Sequence, residues 1–184
     1  MSYYELAQSL HQTHAITVFP RLPGGVSFPK GVMIQADLPD PLVFETDNDS
    51  AHPPDDFPGS VIHVLSDRFV EALRAAGVDN MQTFPAQLQN PASGDVWPSG
   101  LQAVNFVGVV DCVDLEKSDY DEVGVGVLAF RDVAISESRA GGLSCFRLMQ
   151  SPDRVVLAER VVDAVLEQVP DLTGASFEEL IEAP

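Results

Sequence analysis

Two nine-residue stretches, VLSDRFVEA at 64–72 and VLAERVVDA at 156–164, superpose without a gap. Five positions are identical and two more exchange Asp and Glu. Each stretch begins at the end of an apolar run and continues with helical spacing. Phe69, Ala72, Leu73 and Ala76 fall at i, i+3, i+4 and i+7, which gives one apolar helical face. Ser66 is placed to cap that helix, Asp67 to meet its dipole and Gly77 to end it. In the second stretch Val161, Val162, Val165, Leu166 and Val169 form the apolar stripe, and Pro170 ends it. The spacing predicts helices near 66–76 and 158–169. Arg68 and Arg160 recur at one position, which predicts that each ties its helix to a loop. The alternative is a chance echo of common helix residues. Two copies are in either case too few for a solenoid, which needs at least about 3 repeats.

Around these units lie short β-type runs. Ala15–Phe19, Gly31–Ala36, Val61–Leu65, Leu101–Val110, Val123–Phe130, Asp132–Ile135 and Gly142–Leu148 read as strands, and Leu42–Phe44 as a short edge strand. Gly108 marks a bulge or a close backbone approach. Residues 89–100 read as turns. The expected fold is one α+β domain over 1–184, with a single mixed or mainly antiparallel sheet, two main helices and a duplicated strand–helix unit. Residues 1–59 form its less regular part and 60–184 its regular core. Val64, Leu65, Phe69, Leu73, Val104, Phe106, Val109, Phe146, Leu148, Val162, Val165 and Leu166 are the expected core.

Charge narrows the function classes. The 184 residues carry 28 acids and 10 bases, a formal charge of −18. Phosphate contacts need a basic surface, so nucleic acid is not the expected partner. Docking on anionic lipid is disfavoured for the same reason. No apolar run approaches the ~18 residues of a membrane span, and the first residues lack the basic and apolar regions of a signal peptide. Cys112 and Cys145 sit in apolar stretches with no metal or redox spacing, which reads as two buried reduced thiols. A cytoplasmic protein is expected.

The acids are concentrated in two places. Residues 37–60 hold Asp37, Asp40, Glu45, Asp47, Asp49, Asp55 and Asp56, five prolines and no Lys or Arg, which predicts an exposed loop. Residues 111–122 hold Asp111, Asp114, Glu116, Asp119, Asp121 and Glu122 against Lys117 alone. Clustered carboxylates can bind cations or do acid–base work, but this run lacks the order of an EF-hand loop. A structural or partner-facing loop is the favoured reading. No nucleophile elbow or phosphate-binding loop is present, and no cofactor or metal site is indicated. His11 and His14 read as surface residues near the terminus, and His63 as pointing away from the core or bonding locally. Trp97 reads as a core anchor, with an exposed interface aromatic as the alternative.

The ordered set from residue 60 onward, SDRFVEAL, Phe84-Pro85, DCVDLEKSDYD, CFRL, LAERVVDAV, Gly174 and Phe177, resembles a family of small bacterial proteins. These are the predicted immunity proteins of polymorphic toxin systems, including myxobacterial members. The resemblance covers about 60–180, with Asp114, Ser118, Asp119 and Tyr120 its most telling stretch. It implies a non-enzymatic protein that binds and blocks a cognate toxin domain, and it carries over no catalytic residue. A basic toxin cleft would attract a chain of this charge. The expected binding surface is drawn from Asp37, Asp40, Glu45, Asp47, Asp49, Asp55, Asp56, Asp111, Asp114, Asp119, Tyr120 and Asp121. On that reading, replacing Asp47, Asp49, Asp55 and Asp56 would slow association more than it changes stability. Another acidic binding or scaffolding module, or an enzyme with an unrecognised carboxylate site, are the alternatives.

Overall fold

The chain folds in the order β1 (Tyr3–Gln8), β2 (Ile16–Val18), β3 (Leu42–Thr46), β4 (His63–Ser66), α1 (Asp67–Ala75), β5 (Met81–Gln89) and β6 (Val96–Phe106). It continues with β7 (Val109–Val110), β8 (Asp119–Gly124), β9 (Val127–Asp132), β10 (Ala134–Ser136), α2 (Glu137–Ala140) and β11 (Cys145–Leu148). Then come β12 (Ser151–Ala158), α3 (Glu159–Gln168), β13 (Ala175–Glu179) and β14 (Ile181–Ala183). The structure is a computed structural model and describes residues 1–10, 13–47, 52–59, 61–125 and 127–183. His11 and Asp49, named above, lie outside the described residues.

The strands form two five-stranded sheets, β13-β1-β12-β11-β7 and β2-β3-β5-β6-β4, and two pairs, β10-β14 and β8-β9. This corrects the single-sheet expectation: strand takes up 44% of the chain against 15% helix. The physical reason is that both stripes of α1 and α3 need cover. Leu65, Val104 and Phe106 from one sheet and Leu6, Val155 and Leu157 from the other meet Phe69, Leu73, Val161 and Val165 in one core. The helices pack on each other between the two sheets.

The echoed segments have matching surroundings. β4 and β5 run parallel on either side of the antiparallel β6 and are joined by α1. β12 and β13 run parallel on either side of the antiparallel β1 and are joined by α3. Each copy is therefore a split β-α-β unit. α1 ends as the sequence predicts: Val78 N–H donates to Leu73 O and Gly77 N–H to Arg74 O, both at 3.0 Å, with Gly77 at φ 88°.

The outer face of each sheet is also covered. Leu42, Phe44, Val64, Leu88 and Ala103 pack under Phe28, Ile34 and Leu38 on one side. Tyr3, Phe146, Leu148 and Val156 pack under Val113, Phe130, Val133 and Ile135 on the other. Arg147, from the CFRL stretch, ties the two five-stranded sheets together. Its Nε donates to Phe106 O at 2.9 Å and its Nη1 to Pro152 O at 2.7 Å. Burial pulls this guanidinium down to about 10.

Several local expectations change. Gly31–Ala36 is not a strand. Val32 O accepts from Asn105 Nδ2, while the Gln82 amide holds both the N–H and the carbonyl of Ile34, so side chains replace a ladder. Leu42–Phe44 is not at an edge, because β3 lies between β2 and β5. The 89–100 turn occupies only the few residues between β5 and β6. The 101–110 strand is broken at Gly108, whose φ is 108° and whose N–H donates to Gly31 O. Val123–Phe130 is the end of one hairpin rather than one strand. Val109 is half-buried and Leu166 is exposed; the other ten expected core residues are buried.

Candidate partner-binding surface

The acids of the 37–56 segment divide by burial. Asp37, Asp40 and Asp47 are exposed, and Glu45 is half-buried with its Oε1 accepting from Gln89 at 3.2 Å. Asp55 and Asp56 are buried, which corrects the exposed-loop expectation. Thr13 N–H and Oγ1 both donate to the Asp55 carboxylate. Asp56 Oδ1 accepts from Ser66 Oγ and Arg68 Nε, each at 2.6 Å. Its Oδ2 accepts from Arg68 Nη2 at 2.5 Å, Thr173 N–H at 2.9 Å and Thr173 Oγ1 at 3.1 Å. Burial pushes the Asp56 carboxyl up, but the bonds from Arg68, Ser66 and Thr173 outweigh it and hold it below the usual carboxylate range. Ser66 Oγ meanwhile accepts from Phe69 N–H at 3.2 Å, the expected helix cap. Arg68 also reaches Asp171, and its counterpart Arg160 reaches Gly142 O and Ser144 Oγ. Both arginines tie helix to loop.

The second acidic run makes a turn and a hairpin. Asp114 is half-buried and shapes the turn. Its carboxylate accepts from Glu116 N–H at 3.1 Å, and its carbonyl from Ser118 Oγ at 2.7 Å. Ser118 Oγ in turn accepts from Ala134 N–H at 2.9 Å, which closes the base of the β8–β9 hairpin. Tyr120 is half-buried, its ring centroid 5.5 Å from that of Phe130. On the solvent face Arg131 spans the strands, with Nε 2.9 Å from Asp119 and Nη1 2.5 Å from Asp121. Its hydrogen bonds hold the Asp121 carboxyl below its ordinary value. The run therefore faces two bases, Lys117 in its own turn and Arg131 from β9. Asp111 is exposed and accepts from Gln150 Nε2 at 2.6 Å.

The two acidic sets do not converge. Asp37, Asp40 and Glu45 lie beside the residues that cover one five-stranded sheet and the second run beside those that cover the other, while Asp55 and Asp56 are tied to Thr13, Arg68 and Thr173. Among the described residues no three of His, Cys, Asp and Glu are grouped to hold a metal ion.

A cleft of about 450 Å³ between the sheets is lined by Glu5, Gln8, Pro29, His63, Asp153 and Arg154 among others. Glu5 and Arg154 pair at 2.8 Å, and burial raises the Glu5 carboxyl against the opposing effect of Arg154. His63 is buried, contrary to expectation. Its ring stacks on Phe57 and meets Phe106 edge-on, both at 5.4 Å, and burial lowers it to about 3. It is neutral at pH 7 and packed as an aromatic. His14 is buried too, its Nε2 2.8 Å from His52 O and its ring 4.8 Å from Trp97, which is half-buried. Burial pushes the Cys112 thiol up to about 11 and Cys145 to about 12, so neither is an ionised nucleophile at neutral pH.

Sequence reasoning missed the apolar end of the hairpin. Val123 and Val127 are 66% and 55% exposed, and Val125 is fully exposed. The signal was the alternation of valine and glycine over 123–127.

The chain belongs to the immunity protein family Imm11, whose model matches residues 3–182. The match begins at β1, so the N-terminal part is as much family as the 60–180 region that carried the resemblance. β1 shows why, since it lies between β12 and β13. No curated protein matches the chain. Among the described residues no helix is long and apolar enough to cross a membrane.

Proposed function

We propose that this chain is a non-enzymatic immunity protein of a polymorphic toxin system. It binds a cognate toxin domain in the cytoplasm of the cell that makes the toxin and blocks it. Membership of the immunity family over almost the whole chain carries this reading. The formal charge of −18 supports a basic partner surface, such as the substrate cleft of a nucleic-acid-attacking toxin. The outward acids Asp111, Asp119 and Asp121, on a braced hairpin and its base, are the first candidates for contact, with Asp37, Asp40 and Asp47 a separate second set.

The test is co-expression with the toxin domain encoded beside this gene. Growth should be restored by the chain, and the purified pair should associate. The association rate should fall as salt rises, because the Debye length shrinks from ~10 Å at 0.1 M to ~3 Å at 1 M. Failure both to protect and to bind would reject the reading.

A further inference from the structure

Among the described residues, no five-residue stretch other than 123–127 holds three large exposed hydrophobics; elsewhere they occur singly or as the pair Val32 and Met33. Single exposed apolar residues are ordinary, whereas a group of them at the end of an arm has no role in this chain's own core. The arm is stiff below that end. Phe130 is 8% exposed and packs with Tyr120, and Arg154 Nη2 donates to Phe130 O at 3.0 Å. Arg131 then crosses from β9 to two carboxylates of β8. Valine adds little rotamer entropy to be lost on contact. The stem below the valines is acidic, with Asp119, Asp121, Glu122 and Asp132 against Arg131.

Resting on the immunity reading above, we propose that the β8–β9 tip is the anchor of the complex. Val123, Val125 and Val127 enter an apolar pocket of the toxin domain, and Lys or Arg side chains at the rim of that pocket meet the acidic stem. The partner's chemistry follows from the arm itself, an apolar end above an acidic stem. The two parts divide the work. Carboxylates steer encounter and set the on-rate, while a buried apolar anchor sets the off-rate.

The experiment measures association and dissociation rates of the full chain with the toxin domain encoded beside its gene, at 0.05 and 0.5 M salt. The triple variant Val123→Ser, Val125→Ser, Val127→Ser should keep the wild-type melting temperature. Its off-rate should rise at least ~30-fold while the on-rate stays within about 3-fold. Asp119→Asn with Asp121→Asn should slow association at 0.05 M salt and raise the off-rate far less than the triple variant does. Should the triple variant fold poorly, Val125→Ser alone should raise the off-rate about 5-fold. A triple or single variant that folds and dissociates at the wild-type rate would overturn the proposal while leaving the immunity function standing. Wild-type chain that neither binds nor protects would overturn the function itself. A concentration-dependent dimer of the wild type, abolished by the triple variant, would also overturn the proposal, because the tip's occupant would be a second copy.

Discussion

Asp56 and Asp121 carry the same carboxylate, and each meets an arginine at 2.5 Å, yet they belong to opposite parts of the molecule. The Asp56 side chain is 5% exposed and also receives Ser66 and two donors of Thr173. The Asp121 side chain is 61% exposed and shares Arg131 with Asp119. Burial decides the role of each. The first pair joins the loop before β4 and the start of α1 to the segment before β13, 117 positions from Asp56. The second stiffens a hairpin that water already solvates, where an ion pair contributes little to stability. A count of acids along the chain, seven in one run and six in the other, treats the two alike and is misleading for that reason.

The largest effect separating the two regions is expected from Asp56→Ala. It removes the shared acceptor of Arg68, Ser66 Oγ and Thr173 N–H, and leaves Arg68 with Asp171 alone. The expected loss is about 3 kcal/mol in urea denaturation. A loss near zero would erase the distinction between the two acids. The same change at Asp55 and Asp56 cannot report on partner association alone, because it acts on the fold.

Next in size is an effect of pH. His63 titrates at about 3 in the folded chain, far below the ordinary 6.5 of histidine, because its site is buried and Arg147 adds positive charge. The unfolded chain therefore binds the extra proton first as pH falls below 6.5. Stability is fully present above that pH and declines on acidification until the folded pKa is reached. The slope approaches about 1.4 kcal/mol per pH unit, or about 2 kcal/mol between pH 6.5 and 5. Asp56 adds a second loss at lower pH, as it protonates below the usual carboxylate range. Glu5, in the same cleft as His63, is shifted the other way, so its ionisation weakens the fold as pH rises past its ordinary value. His63→Leu should flatten the stability profile between pH 6.5 and 5, and an unchanged profile would show that His63 is not held neutral by burial.

The two helices were legible because their stripes, caps and stops follow a period of 3.6. The sheets were less legible because their strands are covered on both faces. Tyr3 packs into one outer core and Leu6 into the inner one, so β1 shows no clean alternation. In β12, Val155 to Ala158 are all fully buried and read as the approach to a helix rather than as a central strand. His63 was misread because a polar letter in VIHVL suggests an outward residue, while its ring fills an aromatic site between Phe57 and Phe106. Asp56 gives no local signal at all. Thr173, which completes its site, lies 117 positions away.

A smaller effect compares the two echoed helices. Ser66 caps α1, whereas Ala158 stands at the matching position of α3 with no side-chain cap. Ser66→Ala should cost about 1 kcal/mol, within roughly 0.5–2, measured by thermal and urea melts. Unchanged stability with lost protection would assign Ser66 to the partner surface instead.

The smallest effect on stability is expected where the acids are most conspicuous. Asp119→Asn with Asp121→Asn removes both partners of Arg131 from an exposed face, and each group involved stays in water. The urea midpoint should not move measurably, because the ion pairs gain little over their solvated parts. Tyr120, Phe130 and Ser118 hold the base of the hairpin without them. Proteolysis at the tip gives the sharper reading. If Arg131 braces the stem, the double variant should be cut faster between β8 and β9 than wild type at equal global stability. A midpoint that fell as far as for Asp56→Ala would mean that the hairpin ion pairs hold the fold, and the contrast between the buried and the exposed knot would fail.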